Sequence, residues 1–356
     1  MHRLIADPRF AAASRVLQVA VETRAFPAAV VEVGDAARPL WREAFGRLTF
    51  DEGAPPTRDD TIFDLASLTK VLSTTPLAIQ QLERGAIDLD ERVDRHIELW
   101  SGPGRATVTL RDLLAHCSGL PAWAPFFREH RGQEAFERAI CSTPLEYAPR
   151  TKSVYSDLGF MLLGFVLARS TTLQMRFDAL KTQMSIVEDV QFSPPPLWFS
   201  RTAPTEIDPW RARLLVGEVH DENAFALGGA AGHAGLFGTA AAVGQHARQL
   251  LQILEGRVGA FQQASLETFI TRRTDVPDSS RALGWDTMLP SSSCGTRMSP
   301  RAFGHTGFTG TSLWIDPDRG VYVVLLTNRV HSSRTNEAIK QVRPALHDAV
   351  MVALEG

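Results

Sequence analysis

Lysine and tyrosine are scarce in this chain: four lysines (Lys70, Lys152, Lys181, Lys340) and three tyrosines (Tyr147, Tyr155, Tyr322) in 356 residues. Nearly all positive charge is therefore arginine, and a lysine or tyrosine in a suggestive place carries more weight than usual. A basic surplus is missing as well, with 37 Lys+Arg against 40 Asp+Glu and a net charge of -3. Without a basic stripe, nothing is expected to follow a phosphate backbone, so nucleic acid is not an expected partner. The longest apolar run, residues 160–168, is far too short to span a bilayer, and no membrane contact is expected. The first residues reach Asp7 and Pro8 without an apolar stretch, so they do not read as a secretory leader. Three cysteines (Cys117, Cys141, Cys294) are odd in number and widely scattered, which fits a reducing compartment better than a disulfide framework. With 44% hydrophobic and 22% charged residues, the expectation is an ordinary globular protein of the cytoplasm.

Several chemistries are missing too. There is no G-x-S-x-G, which removes the α/β-hydrolase route to a reactive serine. The run Gly228-Gly229-Ala230-Ala231-Gly232-His233-Ala234-Gly235 has no Walker lysine and no following Rossmann acid, so it is not a phosphate cradle. His220, Asp221 and His233 lack any tight metal-ligand spacing and are expected to pack loops around the mouth of a site. Neither metal nor cofactor is expected. His116-Cys117 does not make a thiol–imidazole pair, because adjacent helical residues do not face each other; Cys117 is expected to be buried and inert.

A length of 356 residues suggests one large domain or two interleaved ones. Apolar periodicity predicts a helix over 14–26, strands over 28–33 and 40–45, and a helix over 67–84 stopped by Gly85. Signals are then mostly helical to about residue 190, at 110–116, 133–141 and 156–169. A helix follows at Ala240–Leu254, then strands at 313–315 and Val321–Thr327, then a helix from about 335 to the end. Strands at both ends around a helical middle predict one αβ domain built from residues 1–75 and 235–356, with a mainly helical domain, 76–234, inserted. Residues 191–210 carry five prolines with Trp198, Phe199 and Trp210. A long ordered segment of that kind is expected to wall a substrate pocket.

Three short constellations could carry chemistry. In Ser67-Leu68-Thr69-Lys70, positions i and i+3 share a helix face, so hydroxyl and ammonium can meet. Serine is a poor nucleophile unless a neighbour takes its proton, and lysine can do so where arginine cannot. A helix start with a solvated lysine would give the same four letters. Tyr155-Ser156-Asp157 precedes an apolar helix; a phenol beside an ammonium can act as base and then acid, whereas N-capping explains only the other two residues. His305-Thr306-Gly307 leads into the strand at 313, and glycines there let a ligand lie along a strand edge and receive backbone N–H bonds. A plain glycine-rich turn would read the same way.

Taken in this order, S-x-x-K, Y-x-D and H-T-G resemble the penicillin-recognising serine hydrolases: class C β-lactamases, D-alanyl-D-alanine peptidases and the β-lactamase-like (family VIII) esterases. Leu113-Leu114-Ala115-His116-Cys117-Ser118-Gly119-Leu120, Leu283-Gly284-Trp285 and Leu325-Leu326-Thr327-Asn328-Arg329 extend the resemblance over nearly the whole chain. So do Gly217-Glu218-Val219-His220-Asp221-Glu222-Asn223 and Ala230-Ala231-Gly232-His233-Ala234-Gly235-Leu236-Phe237. The resemblance implies an α+β fold, the β-lactamase/transpeptidase-like sandwich: an antiparallel sheet flanked by terminal helices, a helical insertion, and the active site at their junction. It implies Ser67 as acylated nucleophile, Lys70 as proton relay, Tyr155 as general base or acid, and the N–H groups of Ser67 and Phe308 as oxyanion hole. Asp157, His305, Thr306 and Gly307 would bind substrate.

Two departures from the family's pattern bear on substrate. Asp157 replaces the commoner asparagine and should pair with Lys70 or accept from a ligand. His305 replaces the usual lysine. Near neutral pH it is at most partly charged, able to donate one hydrogen bond toward a carbonyl or the Tyr155 oxygen but weak in attracting a carboxylate. The expected activity is therefore that of a carboxylesterase on small neutral esters. The alternatives are a β-lactamase or D-amino-acid peptidase and, from another class, a non-catalytic receptor for a peptidoglycan-like ligand. The expected partner is a small ester or amide substrate.

Overall fold

The computed structural model describes residues 7–169 and 171–355. Residues 1–6, on which the leader question mostly turns, lie outside the described residues. A six-stranded sheet is built from β1 (Ala28–Asp35), β2 (Pro39–Gly46), β3 (Asp286–Thr287), β4 (Phe303–Thr306), β5 (Ser312–Asp316) and β6 (Val321–Thr327). Its order is β2-β1-β6-β5-β4-β3, with every neighbouring pair antiparallel. The near-continuous apolar run of β6 follows from burial on both faces. Tyr322, Val324 and Leu326 enter one core, and Val321, Val323 and Leu325 enter the other, as the period of two requires.

The second of these cores lies under the terminal helices, Ala11–Glu22 and Ile339–Glu355, which pack against each other. The first lies under the Ala240–Leu254 helix and runs on into the helical region. There, the Asp157–Leu167 helix is buried at every position from Leu158 to Leu167. This is the β-lactamase/transpeptidase-like fold: an antiparallel sheet with terminal helices on one face and helices on the other. Among the described residues no helix is long and apolar enough to cross a membrane.

Local boundaries differ from expectation where backbone geometry intervenes. The first helix spans Ala11–Glu22 rather than 14–26, and the last begins at Ile339 rather than 335. The expected helix over 67–84 is divided: a wide-turned segment, Lys70–Thr74, precedes the regular helix Thr75–Glu83. Leu283-Gly284-Trp285, which the resemblance implies is a strand, is instead a bend before β3, with Gly284 at φ +84° and the Thr75 side chain against it. The three cysteines are unpaired and buried.

Candidate active site

The site begins at an elbow. Phe63–Asp64 pairs with Leu236–Gly238 in a small second sheet, and Leu65 continues the contact by donating to Leu236 O at 2.9 Å. Ala66 then turns the chain at φ +46°, a conformation that costs energy for any residue with a Cβ. Buried Asp64 holds the turn, accepting from Ala66 N at 2.8 Å and from His220 N at 2.7 Å. Ser67 stands at the top of this elbow.

Lys70 is fully buried beneath it. Its Nζ donates to Ser67 Oγ at 3.1 Å, Asp157 Oδ1 at 2.7 Å and the His233 carbonyl at 3.1 Å. Burial is the largest single influence and works against the ammonium, but Asp157 and, after it, Tyr155 together outweigh it, and Lys70 is held above its ordinary pKa. Asp157 reaches Lys70 because it is the first residue of the Asp157–Leu167 helix, whose N-cap is Ser156. The Ser156 N–H in turn donates to His116 Nδ1 at 3.0 Å.

Tyr155 is wedged among charged and imidazole groups. Its ring lies 4.8 Å from Lys70 Nζ, 5.2 Å from the Arg281 guanidinium, 4.7 Å from the His116 ring and 5.7 Å from that of His305. Its hydroxyl has no hydrogen-bond partner among the described residues, although Lys70 and Ser67 lie close enough to favour the phenolate. Burial is the stronger influence and raises the phenol above its usual range.

His305 has the low charge expected of it but not the expected free donor. It is 3% exposed, and burial drives its pKa well below 6.5, so it is neutral at neutral pH. Nδ1 lies 2.8 Å from Thr306 O; a carbonyl only accepts, so Nδ1 carries the proton. The remaining Nε2 is a buried, unpartnered acceptor. His305 therefore offers no donor to a carbonyl or to the Tyr155 oxygen, because its one N–H is spent on the backbone.

Ser67, Tyr155, Asp157, His305, Thr306, Gly307 and Phe308 line one cavity of about 760 Å³. Gly307 is required by close approach: a Cβ there would stand 2.1 Å from Thr311 Oγ1 and 2.8 Å from Leu65 O. Among the described residues, neither the Ser67 nor the Phe308 N–H donates to a protein acceptor. A serine, a tyrosine, two N–H groups with no protein acceptor among the described residues and the carboxylate that pairs with buried Lys70 thus share one cleft, on the fold described above. The sequence profile of the β-lactamase family matches residues 13–346.

The chain belongs to the β-lactamase family. It is 30% identical over 351 positions to the N-acetylmuramyl-L-alanine amidase of Bacillus subtilis (strain 168), covering 86% of this chain and 78% of that protein. It is 32% identical over 314 positions to an Escherichia coli (strain K12) protein that carries a provisional D-alanyl-D-alanine carboxypeptidase name, covering 76% and 70%. Among solved structures, a penicillin-binding protein homologue from Caulobacter crescentus superposes with a TM-score of 0.76 at 19% identity, covering 98% of each chain. Members of the β-lactamase family are serine hydrolases, and that class holds for this chain.

Other expectations for this β-lactamase-family chain resolve in detail. His220, Asp221 and His233 all line the cavity, and each histidine is tied to a carboxylate: His220 to Glu206 at 2.9 Å and His233 to Asp221 at 2.8 Å. Burial alone would raise the Asp221 pKa, but the His233 partner pulls it below the usual carboxylate range. Cys117 is inert, its thiol pushed up to about 12 by burial. The aromatics of 191–210 do not line the cavity. Trp198 is buried in a separate apolar cluster with Ile62, Val219 and Phe237, Phe199 packs on Gly217, and Trp210 meets Phe127 edge-on at 4.6 Å. The aromatic wall is instead Trp123 and Phe308, each about half exposed. Sequence reasoning also missed His116, Arg281, Arg329 and Arg343 as site residues; His116 had a signal in the L-L-A-H-C-S-G-L segment and Arg329 in the L-L-T-N-R segment, while Arg281 and Arg343 had none.

Proposed function

We propose that the chain hydrolyses small esters and amides through an acyl-enzyme on Ser67. The observation that supports this most is the line of atoms from Ser67 Oγ through Lys70 Nζ to Asp157 Oδ1, with steps of 3.1 and 2.7 Å. Serine needs a base, and Lys70 is charged at rest. It therefore relays: as it takes the Ser67 proton, it gives one to Asp157. Ser67 Oγ attacks the acyl carbonyl, and the oxyanion meets the Ser67 and Phe308 N–H groups. Tyr155, kept protonated at neutral pH by burial, gives its proton to the departing alcohol or amine. Water then attacks the acyl-enzyme and returns a proton to the phenolate. Ser67 Oγ leaves, taking its proton from Lys70, which recovers one from Asp157. The balance is ester or amide plus water to acid plus alcohol or amine.

Neutral His305 favours a neutral ester as substrate. A second reading, a peptidase or amidase acting on a carboxylate-ended amide, is favoured by Arg281. Four other lining cations are engaged: Arg329 with backbone carbonyls, Arg334 with Glu206 and Glu222, Lys340 with Glu337, and Arg343 with backbone carbonyls. Among the described residues, the Arg281 guanidinium shows no carboxylate or carbonyl partner and lies over the Tyr155 ring at 5.2 Å. The names of the B. subtilis and E. coli relatives point the same way.

The test compares p-nitrophenyl butyrate with an acyl-D-alanyl-D-alanine peptide and its C-terminal amide. Ser67→Ala should abolish turnover of whichever is cleaved, and mass spectrometry should place the acyl group on Ser67. If the second reading holds, Arg281→Gln lowers the peptide-to-ester ratio of kcat/KM by about tenfold. An unchanged ratio leaves the ester reading in place, and labelling without turnover of any substrate would instead mark a receptor.

A further inference from the structure

We propose that Arg343 is a positioning residue that aims and strengthens the Phe308 N–H as an oxyanion donor. This rests on the acyl-enzyme reading above. Arg343 lies on the Ile339–Glu355 helix, beneath the loop that follows β4, and is only 8% exposed. Among the described residues it has no counter-ion, and the charged group acting on it is Arg329, another cation. Burying a guanidinium without a carboxylate is strongly unfavourable, so its other contacts must be what holds it. They are two backbone carbonyls, Gly307 O at 2.9 Å and Thr311 O at 2.8 Å.

The first of these carbonyls belongs to the same peptide group as the Phe308 N–H. That peptide is trans, so its N–H points opposite to its C=O. Anchoring Gly307 O on Arg343 fixes the Phe308 N–H in the opposite direction, where it meets no protein acceptor among the described residues, in the cavity that Phe308, Ser67 and Arg343 all line. The rest of the loop is pinned as well. Gly310 N donates to Gly307 O at 3.1 Å, Arg329 Nε to Phe308 O at 2.8 Å, and Arg329 N to Thr309 O at 2.9 Å. Thr311 Oγ1 donates to Leu65 O at 3.0 Å, tying the loop to the elbow that carries Ser67.

The charge matters as well as the geometry. A charge-assisted bond into Gly307 O withdraws electron density through the amide and makes its N–H a better donor, the cooperative effect expected of linked hydrogen bonds. Neutral donors could set the same orientation but would polarise the peptide less. Arg343 touches neither substrate nor reacting atoms in this scheme and acts only through the Gly307–Phe308 peptide.

The test uses Arg343→Gln and Arg343→Lys in the full chain, with activity expressed per Ser67 labelled to completion by a fluorophosphonate. Arg343→Gln should lower kcat by about tenfold to a hundredfold while KM moves little, since one oxyanion donor is weakened rather than removed. Affinity for phenylboronic acid, which forms a tetrahedral adduct on the serine, should fall by the same factor. Lysine can donate to one carbonyl, so Arg343→Lys should lie between wild type and Arg343→Gln. Wild-type kcat in Arg343→Gln overturns the proposal, as does a rise in KM with kcat intact. Should the glutamine variant not fold, wild-type kcat per labelled Ser67 in Arg343→Lys overturns it. Failure of the wild type to label at Ser67 would instead defeat the acyl-enzyme reading beneath it.

Discussion

At the scale of single residues, the decisive feature is that Lys70 has a carboxylate partner. An isolated buried lysine sheds its proton easily and can serve directly as a base. Here Asp157 holds the ammonium charged, so the proton path needs both groups. Asp157→Asn removes the anion that raises the Lys70 pKa, which must then fall. The variant should lose about a hundredfold in kcat at pH 7 and regain activity as pH rises and Lys70 deprotonates, whereas the wild type should show no such rise. A pH–rate profile of both proteins checks this. A variant profile parallel to that of the wild type would mean that Asp157 takes no part in proton transfer.

At the scale of elements, the segment 191–210 shows how composition can suggest the wrong role. Its aromatics brace a satellite cluster instead of the cavity, and Pro196–Arg201 is a short 3-10 helix that seats Trp198. Trp198→Ala should therefore cost about 3 kcal/mol of stability and leave the chain-length preference among p-nitrophenyl esters as it was. Trp123→Ala should do the reverse, changing that preference with little loss of stability, because Trp123 is about half exposed at the cavity wall. Denaturant melts and an acetate-to-octanoate series read the two effects separately.

At the scale of the whole molecule, acid should loosen the fold through its buried histidines, of which His246 and His347 stand apart from the active site. His246 lies on the Ala240–Leu254 helix and His347 on the C-terminal helix, and burial pulls each from 6.5 to about 3. A depressed folded-state pKa gives stability that is present above pH 6.5 and lost as pH falls toward 3. Each histidine should cost up to about 2 kcal/mol by pH 5. Melting temperatures measured from pH 8 to pH 5 should fall steeply, and His347→Met should flatten the slope. A slope unchanged by His347→Met would place the acid sensitivity elsewhere.

Much of this protein was legible in its sequence because the relevant geometry is local. The contact between Ser67 and Lys70 follows from a three-residue spacing, the two-faced burial of β6 from an apolar run, and the start of the Asp157–Leu167 helix from Ser156 as N-cap. Neither spacing nor composition could say what those residues would meet, although the family resemblance offered Lys70 as one of two partners for Asp157. Asp157 reaches Lys70 across 87 positions, and the His233 carbonyl reaches it across 163. The charge state of Lys70, the neutral tautomer of His305 and the place of the Arg281 guanidinium over the Tyr155 ring depend on burial and on partners from distant elements. Solvation and Coulomb energies are set by what surrounds a group in space, so only the folded chain decided them.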